Sequence, residues 1–499
     1  MQVSSHGPEF LESPAEILAR LDAFRALDAP THGGRVLSYV YDSGLVELEE
    51  LAASAIRAVQ PVNGLDPTTF TSVAALEREV LGFARELLNG DDDVVGTVTT
   101  GGTESCLLAV KTARDVWRAQ NPDAVVRPRL VAPTTVHAAF QKAAHYFGLE
   151  LDLMPVAVDG TVAASAIIER LGDDVALVVV SAPSYPFAAL DPVGEVAAAC
   201  AARGIAVHVD ACIGGLVLPF WRDADGAELP AWDFRVPGVT SVSADLHKFG
   251  YSPKGASVLL QRGRDRQRAQ FFATTRWPGY PVVNPTILGS KSAGPLAAAW
   301  AIIRALGRPG FAALADSCAR STLALVEAID AIEGLRVVGD PVGPLLAVET
   351  DDSLPADRRV DPHHWADAVR ELGWVLQQQP GFAQPDGVEL PNTTHLTITP
   401  VTESILPELL PALAAGADAV RGVPRIDATE LVAALPPEGL GQLDSDTAWA
   451  VLQGFGIGGS GGLPSRQAPL LALIEALPAP VAERLLTELI ARLGEPRSE

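Results

Sequence analysis

Two apolar runs decide the fold: Val175-Ala176-Leu177-Val178-Val179-Val180-Ser181 and Ala206-Val207-His208-Val209-Asp210, with a helical pattern over 194–203 between them. Neither run alternates apolar with polar residues, so each predicts a strand buried on both faces. Strands of that kind separated by helices make a mostly parallel sheet covered on both sides. Working outward, the pattern predicts strands at 94–99, 130–132, 151–155, 176–181, 206–210, 240–244 and 257–261. Helices are expected between them at 104–118, 136–147, 164–171 and 194–203. This is an α/β architecture, a mostly parallel seven-stranded sheet. Upstream, 15–27, 45–59 and 72–88 read as helices; downstream, so do 294–306 and 311–332. Short strands at 345–349 and 395–399 then mix with helices, as in a smaller α+β domain.

The expected division is an N-terminal helical segment (1–60), a large domain (61–310), a small C-terminal domain (311–425) and a helical tail (426–499). The tail carries the run GFGIGGSGG at 454–462, which lacks the Lys-Ser/Thr of a phosphate loop and reads as a flexible connector. Beyond it, 470–493 reads as two amphipathic helices broken by Pro478 and Pro480. A length of 499 residues exceeds what one core usually serves.

Lys+Arg number 37 against 61 Asp+Glu, a formal net charge of −24. So acidic a chain repels phosphate backbones and anionic bilayers, and no basic patch offsets this; neither nucleic acid nor a membrane surface is an expected partner. No window reaches the roughly 18 apolar residues of a membrane span. Residues 1–13 lack the basic start and apolar run of a signal peptide. Cys106, Cys200, Cys212 and Cys318 show no metal-ligand spacing, so no metal is expected and the thiols read as buried in a reducing compartment. The reading is of a soluble cytoplasmic protein.

Lysine occurs only at 111, 142, 248, 254 and 291, which makes each a candidate for amine chemistry. Three segments make chemical sense together. Thr99-Thr100-Gly101-Gly102-Thr103-Glu104-Ser105 joins a strand to a helix; alone it could be a plain turn, yet paired glycines before a helix N-terminus also suit a phosphate. His208-Val209-Asp210-Ala211-Cys212 ends an apolar strand, where a carboxylate either caps the next turn or points into a ligand crevice. Ser243-Ala244-Asp245-Leu246-His247-Lys248 leads into Phe249-Gly250-Tyr251-Ser252-Pro253-Lys254-Gly255, so Lys248 is either a solvated loop cation or an amine held for Schiff-base formation. A phosphate cradle, a strand-end aspartate and a strand-end lysine are the three fixtures that pyridoxal phosphate requires. The aspartate would keep the pyridine nitrogen protonated.

These segments, together with Asn63-Gly64-Leu65-Asp66-Pro67, His137-Ala138-Ala139-Phe140-Gln141-Lys142 and Gly289-Ser290, resemble the fold type I pyridoxal-phosphate enzymes. Within these the resemblance is to the group II decarboxylase family, most of all its sphingosine-1-phosphate lyase branch, over about 30–425. It implies an aspartate aminotransferase-like fold and a carbon–carbon lyase acting on an amine or amino acid, either an aldehyde-lyase or an L-amino-acid decarboxylase. Transamination is less well supported, since no arginine near His395 is placed to hold a substrate carboxylate. By the resemblance Lys248 carries the cofactor, Asp210 partners its ring nitrogen, and His137 stacks on its ring. Gly101, Gly102, Thr103, Ser243 and His247 complete the cofactor set, and Gly289 and Ser290 reach the phosphate from the other subunit of a homodimer. Tyr41, Tyr185 and Lys254 join Lys248 and His247 near the substrate. Phe187 and Lys291 depart from the family's usual residues in or near the expected substrate pocket.

Overall fold

The computed structural model describes residues 11–223, 225–428, 432, 443–454, 456–457 and 466–496. Seven strands, β1 (Val94–Thr99), β2 (Arg129–Pro133), β3 (Glu150–Met154), β4 (Val175–Ser181), β5 (Ala206–Asp210), β6 (Ser241–Ala244) and β7 (Ser257–Arg262), form the main sheet in the order β1-β7-β6-β5-β4-β2-β3. All run parallel except β7, which is antiparallel to both β1 and β6. Strand β4 is buried at every position, and its side chains divide between two cores. Leu177 and Val179 pack with Phe140, Ala143 and Trp117, whereas Val178 and Val180 pack with Val207, Leu260 and Ile302. The uninterrupted apolar run therefore serves both faces.

Helices precede and cover the sheet: α1 (Pro14–Arg25), α2 (Val46–Val59), α3 (Thr71–Leu87), α4 (Gly102–Gln120), α5 (Ala138–Phe147), α6 (Ala164–Ile168), α7 (Val193–Ala201), α8 (Arg264–Gln270) and α9 (Gly294–Asp330). Helices α4 and α5 line one face; α2, α3, α7 and α9 lie on the other. Helix α9 breaks at Gly307, whose φ of 53° lies in the left-handed region, which separates the two helical runs expected at 294–306 and 311–332. A hairpin of β8 (Phe272–Thr274) and β9 (Val282–Asn284) follows α8. Neither the hairpin nor α8 was expected, because their short, mixed sequences carry no periodicity.

The second sheet comprises β10 (Leu335–Val337), β11 (Leu345–Thr350), β12 (Gln377–Gln379) and, after the small pair β13 (Phe382–Ala383) and β14 (Glu389–Leu390), β15 (Thr393–Thr397). Its order is β10-β11-β15-β12, antiparallel throughout, with α10 (Pro362–Glu371) and α11 (Thr402–Val420) packed on it. The N-terminal segment also reaches this sheet: the Leu37 N–H donates to the Val375 carbonyl and the Leu37 carbonyl accepts from Thr397. In the tail, helices Ser445–Gly454, Ala468–Ala476 and Ala479–Leu493 gather Leu452, Leu473, Leu485 and Leu489 into a core of their own. Most of the glycine-rich run at 454–462 lies outside the described residues. Among the described residues, no helix is long and apolar enough to cross a membrane.

Candidate active site

At the C-terminal edge of the main sheet a cavity of about 880 Å³ opens between α4, the end of β5 and the β6–β7 connection. Gly101, Gly102, Thr103, His137, Asp210, His247 and Lys248 all line it. These residues come from four separate segments, which meet there because parallel strands deliver their C-terminal ends to a common edge.

Lys248 sits on a loop that leaves β6 and returns along antiparallel β7. The loop is pinned across its mouth, where the His247 N–H donates to the Ala256 carbonyl at 3.1 Å and His247 Nδ1 lies 2.8 Å from the same oxygen. Lys248 Nζ rests 3.0 Å from Asp245 Oδ2, and His247 Nε2 is 3.6 Å from it. Burial alone would push the Lys248 ammonium down, but the Asp245 carboxylate, with Cys212, Tyr41 and Asp210 adding to it, outweighs this and holds it well above the ordinary lysine range. Burial pulls Asp245 up, while Lys248 and His247 together hold it below the usual carboxylate value. Burial lowers His247.

Gly102 opens α4 directly against this pair. A Cβ there would lie 2.6 Å from Asp245 Oδ2 and 2.7 Å from Oδ1, so only glycine lets the helix start approach the carboxylate. Gly101 takes φ +148°, and no side chain caps the helix N-terminus that it begins. The first N–H groups of α4 are thus left to an outside acceptor. Glu104 secures the turn from behind: its carboxylate accepts from the Thr100 N–H at 2.6 Å and from the Ile287 N–H at 2.6 Å.

Asp210 Oδ1 accepts from the Cys212 N–H at 3.1 Å and from Ser243 Oγ at 3.4 Å. Ser243 in turn lies 3.1 Å from His208 Nε2, and burial lowers His208 to about 4, so this support is neutral. His137 caps α5, its Nδ1 accepting from the Ala139 N–H at 3.2 Å, which leaves the ring's proton on Nε2. Ser243 is buried beneath Asp210 and does not line the cavity.

Tyr41, Tyr185 and Lys254 form a second group that senses the Lys248 charge. Lys254 Nζ lies 4.5 Å from the Tyr41 ring centroid and donates to the His247 carbonyl at 3.1 Å. Burial, and then the charge of Lys248, lower Lys254 to about 8. Burial pushes Tyr41 up to about 12 and raises Tyr185 as well. Tyr185 donates to Gln377 Oε1 at 2.6 Å and stacks on His395 at 4.4 Å between ring centroids. Gly289 and Ser290 follow Ile287 and Leu288, which line the cavity, but do not line it themselves; Ser290 Oγ accepts from Asn63 at 3.2 Å.

Phe187 and Lys291, like Tyr41, Tyr185 and Lys254, do not line this cavity. Phe187 lines a separate cavity of about 300 Å³ behind the Tyr185 loop, and Lys291 faces Glu77 in a small crevice. Sequence reasoning also passed over several residues of the cavity. Asp245 stands three residues before Lys248, a spacing that does not by itself turn the carboxylate inward; Cys106, Cys212, Tyr146 and Phe147 carried no signal either.

The sequence between residues 50 and 348 matches the family model described as the pyridoxal-dependent decarboxylase conserved domain, and 427–492 matches that of a pyridoxal-dependent enzyme C-terminal HTH domain. The chain belongs to the pyridoxal-dependent decarboxylase family. It is 33% identical to the sphingosine-1-phosphate lyase of Dictyostelium discoideum over 78% of this chain and 69% of that one. It is also 33% identical to sphingosine-1-phosphate lyase 1 of Rattus norvegicus over 78% of this chain, spanning 65% of that relative's length. Among solved structures, the Burkholderia pseudomallei sphingosine-1-phosphate lyase superposes with a TM-score of 0.73 at 32% identity, covering 84% of this chain and 92% of that one. The protein is therefore a fold type I lyase that depends on pyridoxal phosphate. Its residues suit that cofactor: no side chain caps the start of α4, which leaves N–H groups for a phosphate, and glycine at 102 lets that start lie against Asp245.

Proposed function

We propose that this lyase splits a carbon–carbon bond of a phosphorylated long-chain amino alcohol and releases an aldehyde; the names of its relatives give sphingosine-1-phosphate as the substrate for them. The observation that carries the reading is Lys254, a base at about 8 beside Lys248. Bound pyridoxal phosphate supplies an electron sink for the pair released when a bond to the amine-bearing carbon breaks. In this reading Lys248 would be the residue that holds the cofactor, and its amine would return a proton to the amine-bearing carbon of the substrate. Asp210, steadied by Ser243, keeps a proton at the ring nitrogen, and His137 covers the ring face. The N–H groups at Gly102 and Thr103 would hold its phosphate, with Gly101 giving the backbone its approach and His247 lining the same cavity. Lys254 Nζ accepts the substrate hydroxyl proton while Tyr41 and Tyr185 orient that hydroxyl. Leu107, Tyr146, Phe147, Ile287 and Leu288 at the cavity supply apolar surface for an alkyl chain.

The active protein is, in this proposal, a cytoplasmic homodimer in which Gly289 and Ser290 of each subunit reach the other's phosphate. Two features support it. Phe272, Tyr280, Val283 and Ile287, around the β8–β9 hairpin, are each more than half exposed. All four cysteines are buried free thiols, which suits a reducing compartment.

A second reading, L-amino-acid decarboxylation, is favoured by the decarboxylase family model itself. Transamination is not: no arginine lines the cavity among the described residues. The deciding experiment incubates the pyridoxal-phosphate-loaded protein with a phosphorylated long-chain base and, separately, with a panel of L-amino acids. Long-chain aldehyde from the first is expected. Carbon dioxide from one amino acid without aldehyde from the base would replace the proposal with decarboxylation.

A further inference from the structure

The C-terminal module matches an HTH description, yet its charge opposes a nucleic-acid role. Residues 427–492 hold eight acidic residues against three arginines, with no lysine or histidine. Arg466 pairs with Glu371, Arg484 with Glu488, and Arg492 with Glu488 and Asp446, so none is left to face a phosphate backbone.

What the module does hold is strand β12. Asp367 on α10 accepts from the Gln467 and Ala468 N–H groups at 2.9 and 3.0 Å, capping the tail helix Ala468–Ala476. The same carboxylate accepts from Gln378 Nε2 at 2.9 Å, in the middle of β12. From the other end of that tail helix, Glu475 accepts from the Gly381 N–H at 2.8 Å, just past β12, and pairs with Arg425. Gln378 is flanked by Gln377, which holds the Tyr185 hydroxyl at 2.6 Å, and by Gln379, which reaches the Pro186 carbonyl at 3.4 Å. Gln377 pairs across the sheet with His395, the residue on which Tyr185 stacks. One short strand is thus held by the tail on one side and holds Tyr185 on the other.

We infer that the C-terminal module is a brace for the active site: through Asp367 and Glu475 it fixes β12, and β12 fixes Tyr185. Asp367, Glu475 and Gln377 are positioning residues that never touch substrate. The role of Tyr185 rests on the lyase reading above; the mechanical link does not.

The test uses the full-length, cofactor-loaded protein. Glu475→Ala should raise hydrogen exchange at the amides of 376–381 and lower kcat about 3- to 10-fold with a smaller change in KM, within the range over which remote contacts modulate a site. Glu475→Gln, which keeps an acceptor for Gly381, should restore most of the rate. In a Tyr185→Phe background Glu475→Ala should cost less than 2-fold, because the coupled partner is gone. Unchanged exchange at 376–381, an equal loss in the Tyr185→Phe background, or retardation by duplex DNA that Glu475→Ala abolishes would each overturn the inference. Raised exchange without lyase turnover on any amine would instead sustain the brace and sink the proposed reaction.

Discussion

Asp245→Asn removes one charge and almost no volume, which makes it a clean probe of the site. Lys248 Nζ lies 3.0 Å from Asp245 Oδ2, with the aspartate side chain 1% exposed and the lysine 19%. At an effective dielectric constant near 20 their attraction is about 5 kcal/mol, and removing one partner of a buried pair costs about 3–5 kcal/mol. The stranded ammonium has one exit, to lose its proton. Neutralising a lysine of ordinary pKa, about 10.4, costs about 4.6 kcal/mol at pH 7 but only about 1.9 kcal/mol at pH 9. The variant should therefore destabilise the cofactor-free protein by about 3–5 kcal/mol at pH 7 and by about 2 kcal/mol at pH 9. The sign follows from the shifts. Asp245 raises Lys248, so the lysine's share is complete below its unfolded pKa and is lost as pH climbs through the folded one. Lys248 helps lower Asp245, whose share is present above the unfolded carboxylate pKa and is lost on acidification. Guanidinium unfolding of both proteins at the two pH values measures the difference. A loss below about 1 kcal/mol at pH 7, or one as large at pH 9, would refute the reasoning.

Lys248→Arg should abolish both the absorbance near 420 nm that a lysine-bound cofactor gives, about that value for the chromophore, and its fixation by borohydride; a surviving yellow protein would remove Lys248 from its role. Lyase kcat/KM should rise with pH through about 8 as Lys254 loses its proton. Lys254→Met should flatten that limb and lower the rate about 10²- to 10⁴-fold, read from a pH–rate profile. Gly102→Ala drives a methyl into Asp245 at 2.6 Å; at about 1–3 kcal/mol of overpacking, pyridoxal phosphate should bind about 10- to 100-fold more weakly in a fluorescence titration.

Periodicity made the main sheet readable because its strands are long and apolar on both sides; β4 and β5 lie within a residue of their expected bounds. It failed at β10, β12 and the β8–β9 hairpin, where three residues per strand are too few for any period to register. The candidate cofactor edge was legible as a cluster because Gly101-Gly102, Asp210 and Lys248 each lie at or just past the end of a strongly patterned strand, and the structure brings them to one cavity. Asp245 was quoted within its motif and given no task, since nothing in the sequence says that a carboxylate three residues before a lysine turns inward rather than to solvent. Gln377 and His395 were beyond reach for a different reason: their closeness to Tyr185 depends on how two sheets are docked, and no local pattern encodes that.

The reversal of β7 reaches past the lysine it delivers. Because β7 runs back against β6, Lys248 rides on a closed loop tied to the same frame that carries Asp210 and the start of α4. Tyr185 leaves that frame and finds both its partners on another sheet. In the proposed reading Lys248 and Lys254 thus share one frame, whereas Tyr185 is held from a second one, so a shift between the two sheets would move Tyr185 and leave the paired lysines in place.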